Sequence, residues 1–124
     1  MKLTREYGQF LNTQDWDYFT TLTYKWDVKK KTNRTNMDRL VNSLKKTGIA
    51  FSMFWIGEWH RSRSSTHNHL LLKGEVTTLI DNYWTSNRLG LKKYIKHLKY
   101  EQDKGATYYV TKFIDKEVEY DYVW

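Results

Sequence analysis

The sequence predicts an α+β fold in which helices pack on one face of an antiparallel sheet. Short β-branched and aromatic runs alternate along the chain with segments of helical periodicity. No glycine-rich loop joins a strand to a helix, so parallel βαβ units and a nucleotide-binding P-loop are not expected. The 124 residues contain no proline, no cysteine and no Gly/Ser linker, which indicates one domain over residues 1–124.

Residue patterns predict the order of the elements. The predicted segments are a helix at 3–11, a strand at 18–24, a basic loop at 27–34, a helix ending at Gly48, strands at 51–60 and 67–73, a helix capped by Thr78, a helix at 104–115 and a strand at 118–122. Thr35 and Asp38 resemble a capping box for the helix before Gly48. Residues 91–100 fit either a helix or a strand.

Composition favours an anionic partner. The formal net charge is +7 and 17% of the residues are aromatic. Basic charge suits a polyanion because binding releases counterions, and aromatic rings suit unstacked bases. A basic surface over an aromatic core would give the same composition. No apolar run reaches about 18 residues and no signal segment is visible, so we expect a cytoplasmic protein without a membrane partner.

Two histidines suggest a metal site. His67 and His69 are two positions apart on a predicted strand, so both imidazoles should lie on one face. Glu58, at the end of the preceding strand, is the best third ligand if the two strands form a hairpin. His60 shares the face of Glu58 and could replace it or support it. Plain polar surface is the alternative, but the apolar run at 70–72 favours a strand within the sheet, where an unused histidine pair would be costly.

The segment 104–115 offers a tyrosine and a lysine. Its apolar stripe is expected to face the sheet and consists of Ala106, Val110, Phe113 and Ile114. Tyr109 falls at the edge of this stripe with Lys112 beside it, whereas Tyr108 points to solvent. A phenol needs a nearby cation or base to become a nucleophile, and Lys112 could supply the cation. An amphipathic helix with a boundary tyrosine is the alternative interpretation.

Three segments together resemble the motifs of the HUH endonuclease family, in its single-tyrosine replication-initiator (Rep) branch. They are FTTLTY at 19–24, HNHLLL at 67–72 and ATYYVTK at 106–112. The family pairs its histidines around a hydrophobic residue, and here that residue is Asn68. The resemblance implies a ferredoxin- or RRM-like fold with about five antiparallel strands, one of them within 91–100. It also implies that Tyr109 is the nucleophile and that Glu58 completes the metal site.

This resemblance further implies a reaction and its partners. Glu58, His67 and His69 would hold Mg²⁺ or Mn²⁺, and Tyr109 would cleave DNA and stay linked to its 5′ end, leaving a 3′-OH that primes replication. Lys112 would stabilise charge near the tyrosine oxygen. The substrate would be single-stranded or hairpin origin DNA. The expected phosphate contacts are Lys29, Lys30, Lys31, Arg61 and Arg63.

A second cleavage would need a second turnover or the partner protomer of a homodimer. Because no P-loop is present, the host would supply a separate helicase and polymerase to a virus, phage or plasmid that encodes the protein. A single-tyrosine transposase of the same superfamily is one alternative, although such enzymes usually have glutamine where Lys112 stands. A non-catalytic RRM-like nucleic-acid-binding module is another.

Overall fold

Five strands form one antiparallel sheet in the order β4-β1-β3-β2-β5, which confirms the predicted fold class. The computed structural model describes residues 3–60, 65–114, 116 and 118–123. The strands are β1 (Tyr18–Thr23), β2 (Ser52–His60), β3 (Ser65–Lys73), β4 (Ile95–Lys99) and β5 (Glu119–Val123). The helices among these residues are α1 (Arg5–Asn12), α2 (Lys30–Lys46), α3 (Thr77–Ser86) and α4 (Gly105–Val110). Each of these helices is too short or too polar to cross a bilayer.

Helices cover both faces of the sheet, so the expectation of a single covered face is wrong. The consecutive apolar residues of β3 explain this arrangement, because neighbouring strand residues point to opposite faces. Leu70 and Leu72 pack in a cluster with buried residues of α2 and α3. Leu71 packs in a second cluster with buried residues of α1 and α4. Both faces are apolar, and each therefore needs a layer of helices.

The helix α2 begins earlier than the sequence suggested. Residues 30–34 are helical rather than part of a basic loop, and the proposed capping box is wrong. Thr35 lies inside the helix, where its hydroxyl donates to the carbonyl of Lys31 at 3.2 Å. Asn33 is buried and precedes Met37 by one turn, so it extends the buried stripe upstream. The lysines of this turn hid the stripe from a search for apolar residues.

Other boundaries differ by smaller amounts. Thr78 lies within α3 and does not cap it, because the helix begins at Thr77 after Val76. The ambiguous segment 91–100 contains a short 3₁₀ turn, Lys92–Tyr94, followed by β4, as the family resemblance implied. The last helix is shorter than predicted and tightens into a 3₁₀ turn at Thr111–Phe113. The hydroxyl of Thr111 donates to the carbonyl of Thr107 at this transition.

Candidate active site

The hairpin of β2 and β3 brings the predicted ligands together. Glu58 pairs with His67 and Ile56 pairs with His69 across the two strands. Paired residues of an antiparallel sheet share a face, and residues two apart share it as well. Glu58, His67 and His69 therefore lie side by side on the face that α1 and α4 cover, and they form the triad of this site.

The triad has the spacing of a metal site. One oxygen of Glu58, Oε2, lies 3.2 Å from Nε2 of His67 and 2.9 Å from Nε2 of His69. The two Nε2 atoms are 3.0 Å apart. Neighbouring ligands of an octahedral ion, each about 2.1 Å from the metal, are themselves about 3.0 Å apart. Nitrogen and carboxylate donors at this spacing fit a divalent cation with open positions.

Packing and hydrogen bonding fix the ring of His69. Its Nδ1 shares a hydrogen bond of 3.1 Å with the hydroxyl of Thr21, which leaves Nε2 for the triad. Phe19 stacks on the imidazole with ring centroids 5.5 Å apart, and Phe113 packs 5.4 Å away at a tilt. Such outer contacts orient a ligand and set its tautomer in metal sites.

The electrostatics of the triad favour the ionisation states that bind metal. The hydrogen bonds with His67 and His69 hold the pKa of Glu58 well below its usual range, and the charge of Lys112 contributes in the same direction, against the effect of burial. Burial lowers the pKa of His69, which opposes protonation of the ring. A carboxylate and neutral imidazoles are the forms in which these groups act as ligands.

The segment after α4 reaches the triad directly. Nζ of Lys112 lies 3.6 Å from Oε2 of Glu58. Val110 and Phe113 are buried on the same face, and Ile114 is partly buried, as the predicted stripe requires. Lys112 therefore extends over the triad, and its charge lies beside any anion bound there.

Tyr109 lies on the same face of the sheet, one ring away from the triad. Its ring packs against Phe19 with centroids 5.0 Å apart, and Phe19 in turn stacks on His69. Its hydroxyl accepts a hydrogen bond of 2.9 Å from the backbone N–H of Glu101. Tyr108 is 59% exposed whereas Tyr109 is partly buried, as the helical periodicity predicted.

A cavity of about 750 Å³ opens beside Tyr109. This tyrosine cavity is lined by Phe19, Leu98, Lys99, Glu101, Lys104, Tyr108, Tyr109, Thr111 and Lys112. Most of these residues were not predicted as site residues. The alternation of exposed lysines with apolar residues in the segment around β4 was the available signal, but the cavity depends on how α4 packs over the sheet.

The predicted phosphate contacts lie elsewhere. Lys29, Lys30 and Lys31 are at the start of α2, in the helix layer on the face opposite to the triad. Arg61, Arg63 and the side chain of His60 are outside the described part of the chain.

His97, which was expected to be a surface residue, is partly buried. It shares hydrogen bonds of 2.7 Å with Thr20 and with Asp81, so it connects β4 to β1 and α3. The local run of lysines gave no sign of these partners, because both are distant in sequence.

The fold and the site define an α+β protein with a histidine–histidine–carboxylate triad beside a tyrosine helix. The sequence model of a family of replication-associated proteins, which includes the ORF2 type, matches residues 17–118. The chain therefore belongs to this replication-associated family, and the matched range includes β1, the triad and Lys112. No curated protein and no solved structure matches the chain.

Proposed function

We propose that the protein is a metal-dependent, single-tyrosine endonuclease of the HUH type that nicks and rejoins single-stranded DNA to initiate replication. The observation that carries this proposal is the convergence of Glu58, His67 and His69 on one cation-sized space, with Lys112 at its edge. Membership of a replication-associated family supports the biological role.

The triad would hold Mg²⁺ or Mn²⁺. Bound there, the cation would withdraw charge from the scissile phosphate and help to orient it. The residues of the chain prepare for this task, since Thr21 and Phe19 keep His69 turned toward the site and the two imidazoles keep Glu58 ionised. Lys112 adds a positive charge where the phosphate would lie.

Tyr109 is the proposed nucleophile. Its oxygen would form a bond to phosphorus while the bond from phosphorus to the 3′ oxygen breaks. The phenol proton would pass to solvent, and the 3′ oxygen would take up a proton to become a 3′-OH. The 5′ phosphate would then be linked to Tyr109, and attack by a 3′-OH would reverse the step without ATP. The hydroxyl must exchange the N–H of Glu101 for the phosphate during this reaction.

Origin DNA in single-stranded or hairpin form is the proposed substrate. A strand free of its complement can bring one phosphate to the triad and spread its neighbours over the basic surface. Lys29, Lys30 and Lys31 lie too far around the molecule to contact that phosphate, but they could bind more distant parts of a hairpin. The proposal keeps Arg61 and Arg63, which fall between β2 and β3 in the sequence, as contacts nearer to the site.

The decisive test is covalent capture of DNA. Labelled single-stranded oligonucleotides that tile the DNA encoding the protein are incubated with it in Mn²⁺ or in EDTA. We expect a labelled 5′ end that migrates with the protein in Mn²⁺ only, and its loss in Tyr109→Phe. Tyr94→Phe is the matched control, because Tyr94 lies outside the tyrosine cavity. Absence of any linked product would favour a binding module, and undiminished product in Tyr109→Phe would exclude the proposed nucleophile.

A further inference from the structure

We propose that the tyrosine cavity binds one unstacked base of the DNA strand, and that Tyr108 is the ring on which this base stacks. The base would belong to a nucleotide adjacent to the phosphate at the triad. This inference rests on the proposed function only for the identity of the strand, because the cavity itself is independent of cleavage.

The shape and lining of the cavity suit a planar apolar ligand. Leu98 and Phe19 are paired across β4 and β1, so their side chains share a face and form the floor. Tyr108 and Tyr109 stand above them from α4, and their rings are 5.1 Å apart at 87°. A volume of about 750 Å³ is within the usual range for small-ligand sites and exceeds what one base requires.

Charges around the cavity favour a ligand that carries phosphate. Lys99, Lys104 and Lys112 all line it, against a single carboxylate, Glu101. That carboxylate is already paired with Lys104 at 2.7 Å. A ligand with an apolar ring and flanking negative charges matches such a site, and a nucleotide in a DNA strand has both properties.

Tyr108 has the exposure and support expected of a stacking platform. Its ring is 59% exposed and Leu98 below it is 58% exposed, so neither side chain contributes to the core. Nζ of Lys104 lies 4.7 Å from the centre of the Tyr108 ring, which holds a cation next to the aromatic face. An exposed apolar pair at the mouth of a basic cavity lowers its free energy when a base covers it.

The cavity continues into the triad. Lys112 lines the cavity and also lies 3.6 Å from Glu58. A strand whose phosphate lies at the triad therefore has the cavity immediately beside it. The base of the neighbouring nucleotide can enter only if it is unpaired, so the cavity selects single-stranded DNA over duplex DNA.

The test measures binding in EDTA, where no cleavage is expected. Short oligothymidylate is compared with an abasic chain of the same length, so that the contribution of the bases is separated from that of the phosphates. In Tyr108→Ala we expect affinity for oligothymidylate to fall roughly 5- to 150-fold, the range measured for loss of one stacking ring, and affinity for the abasic chain to stay nearly constant. Tyr108→Trp should retain binding to both.

Tyr94→Ala is the matched control. Tyr94 is also exposed and also has a lysine over its ring, Lys93 at 5.4 Å, but it lies outside the cavity. It should change neither affinity. Equal weakening of both ligands by Tyr108→Ala, or no weakening, would overturn the inference. Cleavage that fails while this base dependence holds would reject the proposed function alone, and the reverse result would reject the base site alone.

Discussion

Nζ of Lys112 lies 3.6 Å from Oε2 of Glu58, so the segment that follows the tyrosine helix contacts the triad itself. A lysine at this position opposes a metal cation and attracts a phosphate. The site therefore gives up some affinity for the metal alone and gains affinity for metal and DNA together.

Replacement of Lys112 should separate these two effects. In Lys112→Met we expect affinity for Mn²⁺ alone to rise about two- to fivefold, because a repelling charge is lost, and the formation of linked DNA to fall. The change is modest because Lys112 is more than half exposed and solvent screens its charge. Titration calorimetry with Mn²⁺ measures the first effect. A drop in metal affinity would show that Lys112 orders Glu58 more than it repels the cation.

Metal binding should stabilise the fold through the triad. At a free Mn²⁺ concentration of about 100 times the dissociation constant, the gain is about 2.7 kcal/mol, which corresponds to several degrees in the melting temperature. The variants Glu58→Gln and His67→Ala should lose this shift. Glu75→Gln, which removes an exposed carboxylate elsewhere, should keep it. A full shift in both triad variants would mean that Mn²⁺ binds at another place.

The buried amides beneath the histidines should be tightly coupled. Asn68 is fully buried and exchanges two hydrogen bonds with Asn33, of 2.8 and 2.9 Å, and Tyr24 donates to the same Asn33 oxygen at 2.6 Å. Asn33→Ala should lower the free energy of unfolding by about 2–4 kcal/mol, because it leaves buried polar partners unsatisfied. Replacing both asparagines by leucine should cost less than the sum of the single changes. Urea unfolding of the four proteins tests this, and strict additivity would contradict it.

Alkaline pH should destabilise the protein through Tyr24. Burial raises the pKa of Tyr24 from about 10 to about 12. The unfolded chain therefore loses its proton first, so this contribution to stability is complete below pH 10 and disappears as the pH approaches 12, with a total of about 2–3 kcal/mol. Tyr24→Phe should have a flatter dependence of unfolding free energy on pH over that interval. An unchanged slope would show that other groups cause it.

The sequence was sufficient for the parts of the site that depend on local periodicity. The period of two along a strand placed His67 and His69 on one face, and hairpin pairing brought Glu58 beside them. The period of a helix separated Tyr109 from Tyr108. These relationships need only secondary structure and the nearest partner strand.

Relationships between distant segments could not be predicted in this way. Asn68 looked like a departure from the family pattern, but Asn33 on α2 provides its partner. Gly57 leaves space for this pair, since a Cβ there would lie 2.9 Å from the Asn33 amide nitrogen. Likewise, no local pattern showed that Phe19 separates Tyr109 from His69, because three different elements supply these rings.

The most direct measurement of the central claim is the position of the covalent link to DNA. Trypsin is expected to release residues 105–112 as one peptide, because Lys104 and Lys112 are its flanking cleavage sites. After reaction with single-stranded DNA in Mn²⁺ and nuclease trimming, fragmentation of this peptide in a mass spectrometer distinguishes Tyr108 from Tyr109. We predict a nucleotide phosphate on Tyr109, formed only with an intact triad. A phosphate on Tyr108, on another peptide, or formed equally in His67→Ala would contradict the account.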